Sequence, residues 1–296
     1  MSRVLQLEGD ARQRLKALYR ASGIRSRYTV LPDYAQATKD FSFFPPNEQL
    51  EPFPGTASRM ALYRQAALPL AAQAVEQLIR KGTIARENCA RLFEASCTGM
   101  FAPGLDNDLV HALGLRPEVE RSAVNFMGCY AAVTALKLAD HICRANAAAS
   151  VLVVCVELCT LHFQKKTDED NLLANSLFGD GAAAVWLSGS RPASESIRLD
   201  QFRARLIPEA SKDMAWQVGD FGFEMRLSSY VPVAIKEGIA DMPHEVLADH
   251  GISQDEIRYY ANHPGGKKIL QVIEEELQIS TEDHRFSYDV LQRFGN

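Results

Sequence analysis

Cys129 is the residue whose type and position most directly suggest chemistry. It lies in the segment 125–130, just before a helical apolar pattern formed by Ala131, Ala132, Ala135, Leu136, Leu138, Ala139 and Ile142. Unpaired N–H groups and the positive dipole end at a helix N-terminus favour a thiolate, so Cys129 is predicted to be a nucleophile. A single cysteine on a small-residue helix is more often a packing residue, so other segments must decide.

A histidine on a glycine-rich turn is the second candidate. His263 precedes Pro264, Gly265 and Gly266, between a predicted strand at residues 257–262 and a helical pattern around residues 268–278. The glycines let the backbone approach a ligand closely, and the imidazole could donate to an oxyanion or pair with a thiolate. A lone histidine in a turn is more often structural, and the final Gly-Asn carries no signal alone.

Two arginines follow the first predicted helix. An amphipathic pattern over residues 9–21 predicts a helix that Gly23 ends, and Arg25 and Arg27 come directly afterwards. The pair forms either an anion contact or a solvated basic turn, and the local sequence leaves both interpretations open.

The segments that must position these residues alternate between helices and strands. A proline- and aromatic-rich loop at residues 41–55 precedes a long helix at 57–81 and a short strand that meets a loop at 92–99. After the Cys129 helix come a buried strand at 151–156 and a glycine turn that opens another strand within 177–187. This alternation predicts an α/β fold.

A cluster of glycine, serine and proline near residues 188–192 marks the predicted internal boundary. It divides the chain into residues 1–190, which carry Cys129, and residues 191–296, which carry His263 and Asn296. The second part is predicted to contain a strand, a long helix, a strand and a helix, at residues 201–206, 231–250, 257–262 and 269–277.

Composition excludes several classes of function. The 296 residues are 47% hydrophobic and 23% charged with a formal net charge of −5, which argues against a nucleic-acid surface or a charged membrane patch. The longest apolar run, residues 151–156, is too short to cross a bilayer. Six cysteines without a CxxC pair and a start without a signal-peptide pattern predict a reducing cytoplasm and no metal site.

Several motifs, in order over nearly the whole chain, resemble the chalcone-synthase-like type III polyketide synthases. They are Gly128-Cys129-Tyr130, residues 151–157, residues 177–184, His263-Pro264-Gly265-Gly266 and Phe294-Gly295-Asn296. Each motif is weak alone, but several in register over this length make chance a poor explanation. The His-Pro-Gly-Gly turn separates this family from the related ketoacyl-carrier-protein synthases III.

The resemblance implies a thiolase-like fold of two pseudo-symmetric halves in five layers, α-β-α-β-α, and a homodimer. Family members have a further strand before the first helix and several strands after the Gly-Asn motif, so the fold is expected to be incomplete at both ends. By this comparison the chain is a fragment of a longer enzyme or a truncated product, because missing strands leave sheet edges unpaired.

The resemblance also implies a mechanism. Cys129 would attack an acyl-CoA starter and hold the acyl chain as a thioester. His263 and Asn296 would stabilise the enolate formed when malonyl-CoA loses carbon dioxide, and that enolate would attack the Cys129 thioester. His263 would also keep Cys129 ionised. CoA thioesters are the substrates, and no cofactor or metal is expected.

Further residues are assigned only through the resemblance. Phe178 matches a gatekeeping phenylalanine between the CoA tunnel and the reaction cavity, and Met225 replaces a second such phenylalanine with a more flexible side chain. The positions that line the family's cavity correspond to Cys97, Thr98 and His162. The candidate CoA contacts are Arg25, Arg27, Gly265 and Gly266.

Three functions remain in competition from the sequence. The first is a type III polyketide synthase whose product closes to a pyrone or phenolic ring. The second is a ketoacyl synthase III-like condensing enzyme that accepts a carrier-protein thioester. The third is a non-catalytic subunit or truncated remnant that keeps the dimer surface without turnover.

Overall fold

The computed structural model describes residues 4–82, 85–190, 196–208, 210, 214–228, 231–239 and 241–296. The chain divides into two compact units. The sheet unit comprises Gly55–His162 and Asp180–Asp200, and the hairpin unit comprises Met1–Pro54, Phe163–Gly179 and Gln201–Asn296. The boundary predicted after residue 190 adjoins residues 191–195, which lie outside the described residues.

Helices and strands alternate along the described residues. The α-helices are α1 (Gly9–Ala21), α2 (Thr56–Lys81), α3 (Leu105–Leu113), α4 (Ala131–Ala145), α5 (Glu169–Leu177), α6 (Val231–Ile239), α7 (Met242–Asp249), α8 (Lys267–Leu277) and α9 (Arg285–Phe294). The strands are β1 (Arg91–Ala95), β2 (Glu120–Ala123), β3 (Ser150–Leu158), β4 (Asp180–Ser188), β5 (Met214–Gly219) and β6 (Gly222–Leu227). The predicted helices at 9–21 and 57–81 are confirmed to within one residue.

A four-stranded mixed sheet with the order β2-β1-β3-β4 forms the centre of the sheet unit. Strand β1 is parallel to both β2 and β3, whereas β4 is antiparallel to β3. Strand β3 is mostly buried because its apolar run extends over both faces, as the sequence predicts. This rigid strand leads directly to Glu157, near the candidate cysteine site.

Helix α4 packs against this sheet through a stripe of small side chains. Ala131, Ala135, Ala139 and Cys143 recur every four residues and are buried with apolar residues of β1 and β3. Leu138, which the sequence places on the buried face, is instead 41% exposed. The prediction fails there because the small side chains let the helix approach the sheet along one narrow stripe.

The hairpin unit contains the antiparallel hairpin of β5 and β6 together with α1 and α5 to α9. A core cluster joins Leu177 at the end of α5, Leu227 of β6 and Val231 of α6. In the same unit, the buried Asp33 carboxylate accepts hydrogen bonds from the backbone N–H groups of Phe43 at 3.0 Å and Phe44 at 2.8 Å. Those bonds fix the proline- and aromatic-rich loop.

Three predicted elements of the second half differ in the structure. Residues 201–206 and 257–262 form no strands, because neither segment runs beside a strand among the described residues. Arg203 binds Glu245 of α7 instead, and the Tyr260 N–H donates to the Asp283 carbonyl at 3.0 Å. The predicted helix at 231–250 is two helices, and the second starts with Pro243 in its first turn.

No helix within the described ranges is long and apolar enough to cross a membrane. Within the same ranges, no group of three or more His, Cys, Asp and Glu side chains is arranged to hold a metal ion.

Candidate active site

Cys129 lies in a single 3₁₀ turn, Gly128–Tyr130, that runs directly into α4. All six cysteines fall within the described residues, and Cys129 is the exposed one, whereas the others are buried or half-buried. Burial raises the pKa of the Cys97 thiol and raises that of Cys155 to about 11. The predicted position at a helix N-terminus is confirmed, and the other thiols are held in the protonated form.

The turn before Cys129 has an unusual backbone. Phe126 and Gly128 both have positive φ angles, of 56° and 73°, a conformation that glycine adopts readily and phenylalanine rarely. The loop after β1 fixes this turn: Phe126 N–H donates to the Ser96 carbonyl at 3.3 Å, and Gly128 N–H donates to Cys97 Sγ at 3.2 Å. Cys97 therefore supports the backbone that presents Cys129.

Glu157, at the end of β3, holds the two cavity positions assigned from the sequence. Its carboxylate accepts the Cys97 N–H at 2.9 Å and the Thr98 hydroxyl at 2.7 Å. Burial raises the pKa of Glu157 to about 7, although the hydrogen bonds from Thr98 and Cys97 oppose this rise. Glu157 was not among the site residues predicted from the sequence, although a carboxylate at the end of a buried apolar strand is a signal that could have identified it.

His162 completes this group in the sheet unit. Its Nε2 lies 2.8 Å from the Thr98 carbonyl, and because a carbonyl only accepts, Nε2 carries the proton. Burial lowers the pKa of His162 to about 4, so the ring is neutral at physiological pH. Cys97, Thr98 and His162 thus lie close together, and Thr98 and His162 are only 1% and 4% exposed. Their role as cavity-lining residues stays a prediction.

In the hairpin unit, His263 is held on the turn before α8. The Gly265 N–H closes this turn by donating to the His263 carbonyl at 2.9 Å. Although part of the residue is exposed, desolvation by the surrounding protein lowers the pKa of His263 below its usual value. The ring is therefore predominantly neutral at physiological pH and can donate one N–H.

The residue before His263 is anchored by two consecutive side-chain hydrogen bonds. Asn262 Nδ2 donates to His284 Nδ1 at 3.1 Å, and His284 Nε2 donates to Glu274 of α8 at 2.8 Å. His284 is fully buried. These hydrogen bonds take the place of the strand that the sequence predicts before His263, and they fix the same turn.

Asn296 is fastened to the end of α5. Its N–H donates to the Leu177 carbonyl at 2.9 Å, and its carbonyl accepts the Gly179 N–H at 3.0 Å. Gly295 makes this approach possible, because a Cβ at that residue would lie 2.5 Å from the Leu177 carbonyl oxygen and its φ is +80°. The Leu177 side chain also lies beside Gly266 of the histidine turn. The His263 turn and Asn296 therefore meet at Leu177.

Phe178 and Met225 border the same place. Both are half-buried and pack against the cluster of Leu177, Leu227 and Val231. Phe178 directly follows Leu177 in the chain, so it lies beside the segment that ends in Asn296. The structure thus gathers Phe178, Met225, Asn296 and the His263 turn in one region of the hairpin unit.

The two arginines after α1 have different surroundings. Arg25 is exposed, whereas Arg27 is half-buried and donates through Nη1 to the backbone carbonyls of Asn175 and Phe178. Arg25 keeps the exposure that a phosphate contact needs, and Arg27 is engaged with the end of α5. Gly265 and Gly266 lie in the turn that leads into α8, where backbone N–H groups precede a helix.

The predicted site residues divide between the two units. Cys129, Cys97, Thr98 and His162 belong to the sheet unit. The hairpin unit carries the remaining ones, which are Arg25, Arg27, Phe178, Met225, His263, Gly265, Gly266 and Asn296.

The fold is thiolase-like, and comparison with known families specifies the class of protein further. Residues 3–192 match the N-terminal domain of the chalcone and stilbene synthases, and residues 198–296 match the C-terminal domain of the same family. The chain belongs to the chalcone and stilbene synthase family, which comprises the type III polyketide synthases.

Curated relatives agree with this assignment. The chain is 33% identical over 298 residues to the alpha-pyrone synthesis polyketide synthase-like Pks18 of Mycobacterium tuberculosis, covering 98% of this chain and 76% of the relative. It is 27% identical to probable polyketide synthase 1 of Dictyostelium discoideum, covering 98% of this chain and 9% of that protein.

Solved structures give the same fold. PKS-I from the brown alga Ectocarpus siliculosus superposes with a TM-score of 0.89 at 28% identity, over 97% of this chain and 77% of that one. Tetrahydroxynaphthalene synthase from Streptomyces coelicolor superposes with a TM-score of 0.85 at 25% identity, over 99% and 81% respectively. The predicted family and the predicted thiolase-like α/β fold are confirmed.

Proposed function

We propose that this chain is a type III polyketide synthase that loads an acyl-CoA starter on Cys129 and extends it with malonyl-CoA. The observation that carries this proposal is the position of Cys129: an exposed thiol at the start of α4, while burial raises the pKa of other thiols in the same unit. The thiolate would attack the starter thioester and release CoA.

The hairpin unit supplies the groups for the second step. His263 and Asn296 would donate hydrogen bonds to the thioester carbonyl of malonyl-CoA as its carboxylate leaves as carbon dioxide. The enolate of acetyl-CoA would then attack the Cys129 thioester carbonyl, forming a carbon–carbon bond and expelling the thiolate. The lowered pKa of His263 supports this role, because a neutral imidazole donates without protonating the enolate fully.

The product class follows from the relatives rather than from the site. The name of the Mycobacterium relative refers to alpha-pyrone synthesis, and the Streptomyces structure is a tetrahydroxynaphthalene synthase. We therefore propose that the extended chain closes to a pyrone or a phenolic ring. The half-buried thioether of Met225 favours starters that are longer than those an aromatic wall would admit.

The substrate contacts and assembly complete the proposal. Arg25, with Gly265 and Gly266, is proposed to contact the CoA phosphates, because an exposed cation and helix N-terminal amides both bind anions. CoA thioesters are the only small molecules that the reaction needs. The family resemblance supports a homodimer.

Intact-mass spectrometry tests the loading step. The purified chain is incubated with acetyl-, hexanoyl-, lauroyl- and benzoyl-CoA, alongside Cys129→Ala and the control Cys159→Ala. The proposal expects an acyl adduct on the parent chain and on Cys159→Ala but none on Cys129→Ala.

Malonyl-CoA is then added to the acylated protein and products are followed by mass spectrometry. Extended, cyclised products from free CoA esters would support the proposal. Extension only with malonyl-carrier protein would favour the ketoacyl synthase III-like alternative. A folded chain that never acylates Cys129 would overturn the proposal in favour of a non-catalytic protein.

A further inference from the structure

The C-terminal end of α5 has backbone carbonyls that no later turn of the helix can satisfy. Arg27 Nη1 donates to two of them, the carbonyl of Asn175 and that of Phe178, the latter at 3.2 Å. The Tyr19 hydroxyl donates to the Asn175 carbonyl as well, at 3.0 Å. A cation at this end also interacts favourably with the negative pole of the helix dipole.

The aliphatic stem of Arg27 runs between two segments that carry candidate site residues. A Cβ built on Gly179 would lie 3.4 Å from Arg27 Cβ, and one built on Gly295 would lie 2.9 Å from Arg27 Cγ. These glycines directly follow Phe178 and directly precede Asn296. The arginine therefore touches both segments at the points where they are bonded to each other.

We infer that Arg27 is a positioning residue, which sets the places of Phe178 and Asn296 by satisfying the end of α5. This inference rests on the proposed function, because it takes Asn296 as a donor to the enolate. Arg27 acts through the Asn175 and Phe178 carbonyls and does not touch the substrate. The CoA-phosphate contact that the sequence suggested for Arg27 is thereby reassigned, and Arg25 keeps it.

Arginine is suited to this place in a way that lysine is not. Its Nη1 donates to both carbonyls while the planar guanidinium lies over the Tyr19 ring, with Cζ 5.3 Å from the ring centroid. A lysine ammonium would retain the charge but lose the planar group that lies over this ring. Arg27 also borders a cavity of about 890 Å³, so a shorter side chain leaves a space that water can reach.

Steady-state decarboxylation of malonyl-CoA tests the inference, with Arg27→Met, Arg27→Lys and, for contrast, Arg25→Met, which should raise KM at an unchanged kcat because Arg25 is the proposed phosphate contact. We expect Arg27→Met to lower kcat about 10-fold with KM within about 2-fold of the parent, because a misplaced donor affects the reacting state. Arg27→Lys should recover part of this loss. A raised KM with an unchanged kcat for Arg27→Met would instead show a phosphate contact and overturn the inference.

Hydrogen–deuterium exchange gives a readout that does not depend on activity. Peptides covering residues 174–181 and 290–296 contain the Gly179 and Asn296 amides, which bond across the two segments. We expect exchange at these amides to be about 10-fold faster in Arg27→Met and about 3-fold faster in Arg27→Lys, since fewer donors hold the end of α5. Arg25→Met should exchange like the parent.

The two measurements separate this inference from the proposed function. Faster exchange in the Arg27 variants, combined with a parent chain that does not decarboxylate malonyl-CoA, would support the positioning role and contradict the function. Parent-like exchange and kcat in the Arg27 variants of an active chain would overturn the positioning role alone. If Arg27→Met does not fold, Arg27→Lys decides by the same two criteria.

Discussion

The two units hold their candidate catalytic residues by different means. In the sheet unit, Cys129 follows a strand and a strained turn, and it precedes a helix whose buried stripe packs on the sheet. In the hairpin unit, His263 and Asn296 lie on turns that backbone hydrogen bonds and buried side chains tie to helix ends. One set of positions depends on a core, and the other depends on a small number of directed contacts.

This difference predicts whether substitutions in each unit affect stability or catalysis first. The helix that follows Cys129 is held by many small apolar contacts, none of which is individually essential. The donors are held by contacts such as the Asn296 N–H bond to Leu177, where a shift of about 1 Å can cost about 100-fold in rate. Substitutions around Cys129 should therefore affect stability first, whereas substitutions around Asn296 should affect catalysis first.

The strongest test separates the chemistry of the two units. His263→Ala should lower malonyl-CoA decarboxylation by at least about 1000-fold, because the enolate loses a donor, while Cys129 still forms an acyl adduct. Cys129→Ala should lose the adduct and retain decarboxylation. Radiolabelled carbon dioxide release and intact mass measure the two activities, and parallel loss of both in each variant would contradict the division.

Gly295→Ala should displace Asn296 from its hydrogen bonds at the end of α5. Its Cβ would meet the Leu177 carbonyl oxygen at 2.5 Å, so we expect decarboxylation to fall about 10- to 100-fold. Gly251→Ala is the matched control, since Gly251 also has a positive φ but nothing lies within 4 Å of its Cβ position. The control should lose about 1 kcal/mol of stability and keep its activity, as steady-state assays and urea unfolding can show.

The half-buried Glu157 carboxylate of the sheet unit should affect the pH dependence of stability. Because the folded pKa of Glu157 is about 7 and its ordinary value is 4.5, the folded state retains a proton that the unfolded state releases between these values. The free energy of unfolding should therefore fall as pH rises through this window. Glu157→Gln should reduce that fall by about 3 kcal/mol, given about 1.4 kcal/mol per pKa unit.

Urea unfolding at several pH values between 4.5 and 7.5 measures this slope. The control Glu118→Gln changes an exposed carboxylate and should leave the slope unchanged. Glu94, whose pKa burial also raises to about 7, should maintain part of the slope in both variants. A Glu157→Gln slope equal to that of the parent would show that this carboxylate titrates normally in the folded protein.

The smallest expected effect concerns starter choice in the hairpin unit. Met225→Phe should lower kcat/KM for lauroyl-CoA relative to acetyl-CoA by about 3- to 10-fold, because a rigid ring replaces a flexible thioether. Met214→Phe is the control, since Met214 lies on the same hairpin and is 45% exposed. An unchanged preference in Met225→Phe would remove the support for this residue as a starter selector.

The local sequence was sufficient for elements whose signals are local. The helix at residues 9–21 has an amphipathic repeat and a glycine stop, and the strand at 151–156 is a continuous apolar run, so both are found as predicted. The predicted strands at 201–206 and 257–262 failed because a strand needs a neighbour, which local composition does not specify. The His263 turn was predicted from its glycines, but the hydrogen bonds through His284 that hold this turn were not.

The sequence by itself determined the family, the α/β fold and the position of Cys129 before a helix, because these follow from ordered motifs and hydrophobic periodicity. Only the tertiary structure decided that Glu157 holds Cys97 and Thr98, and that Arg27 and Asn296 meet at the end of α5. Those contacts join residues that lie 59 to 151 positions apart in the chain. Hydrogen-bond partners at such separations are set by packing, and no local pattern of residue types encodes them.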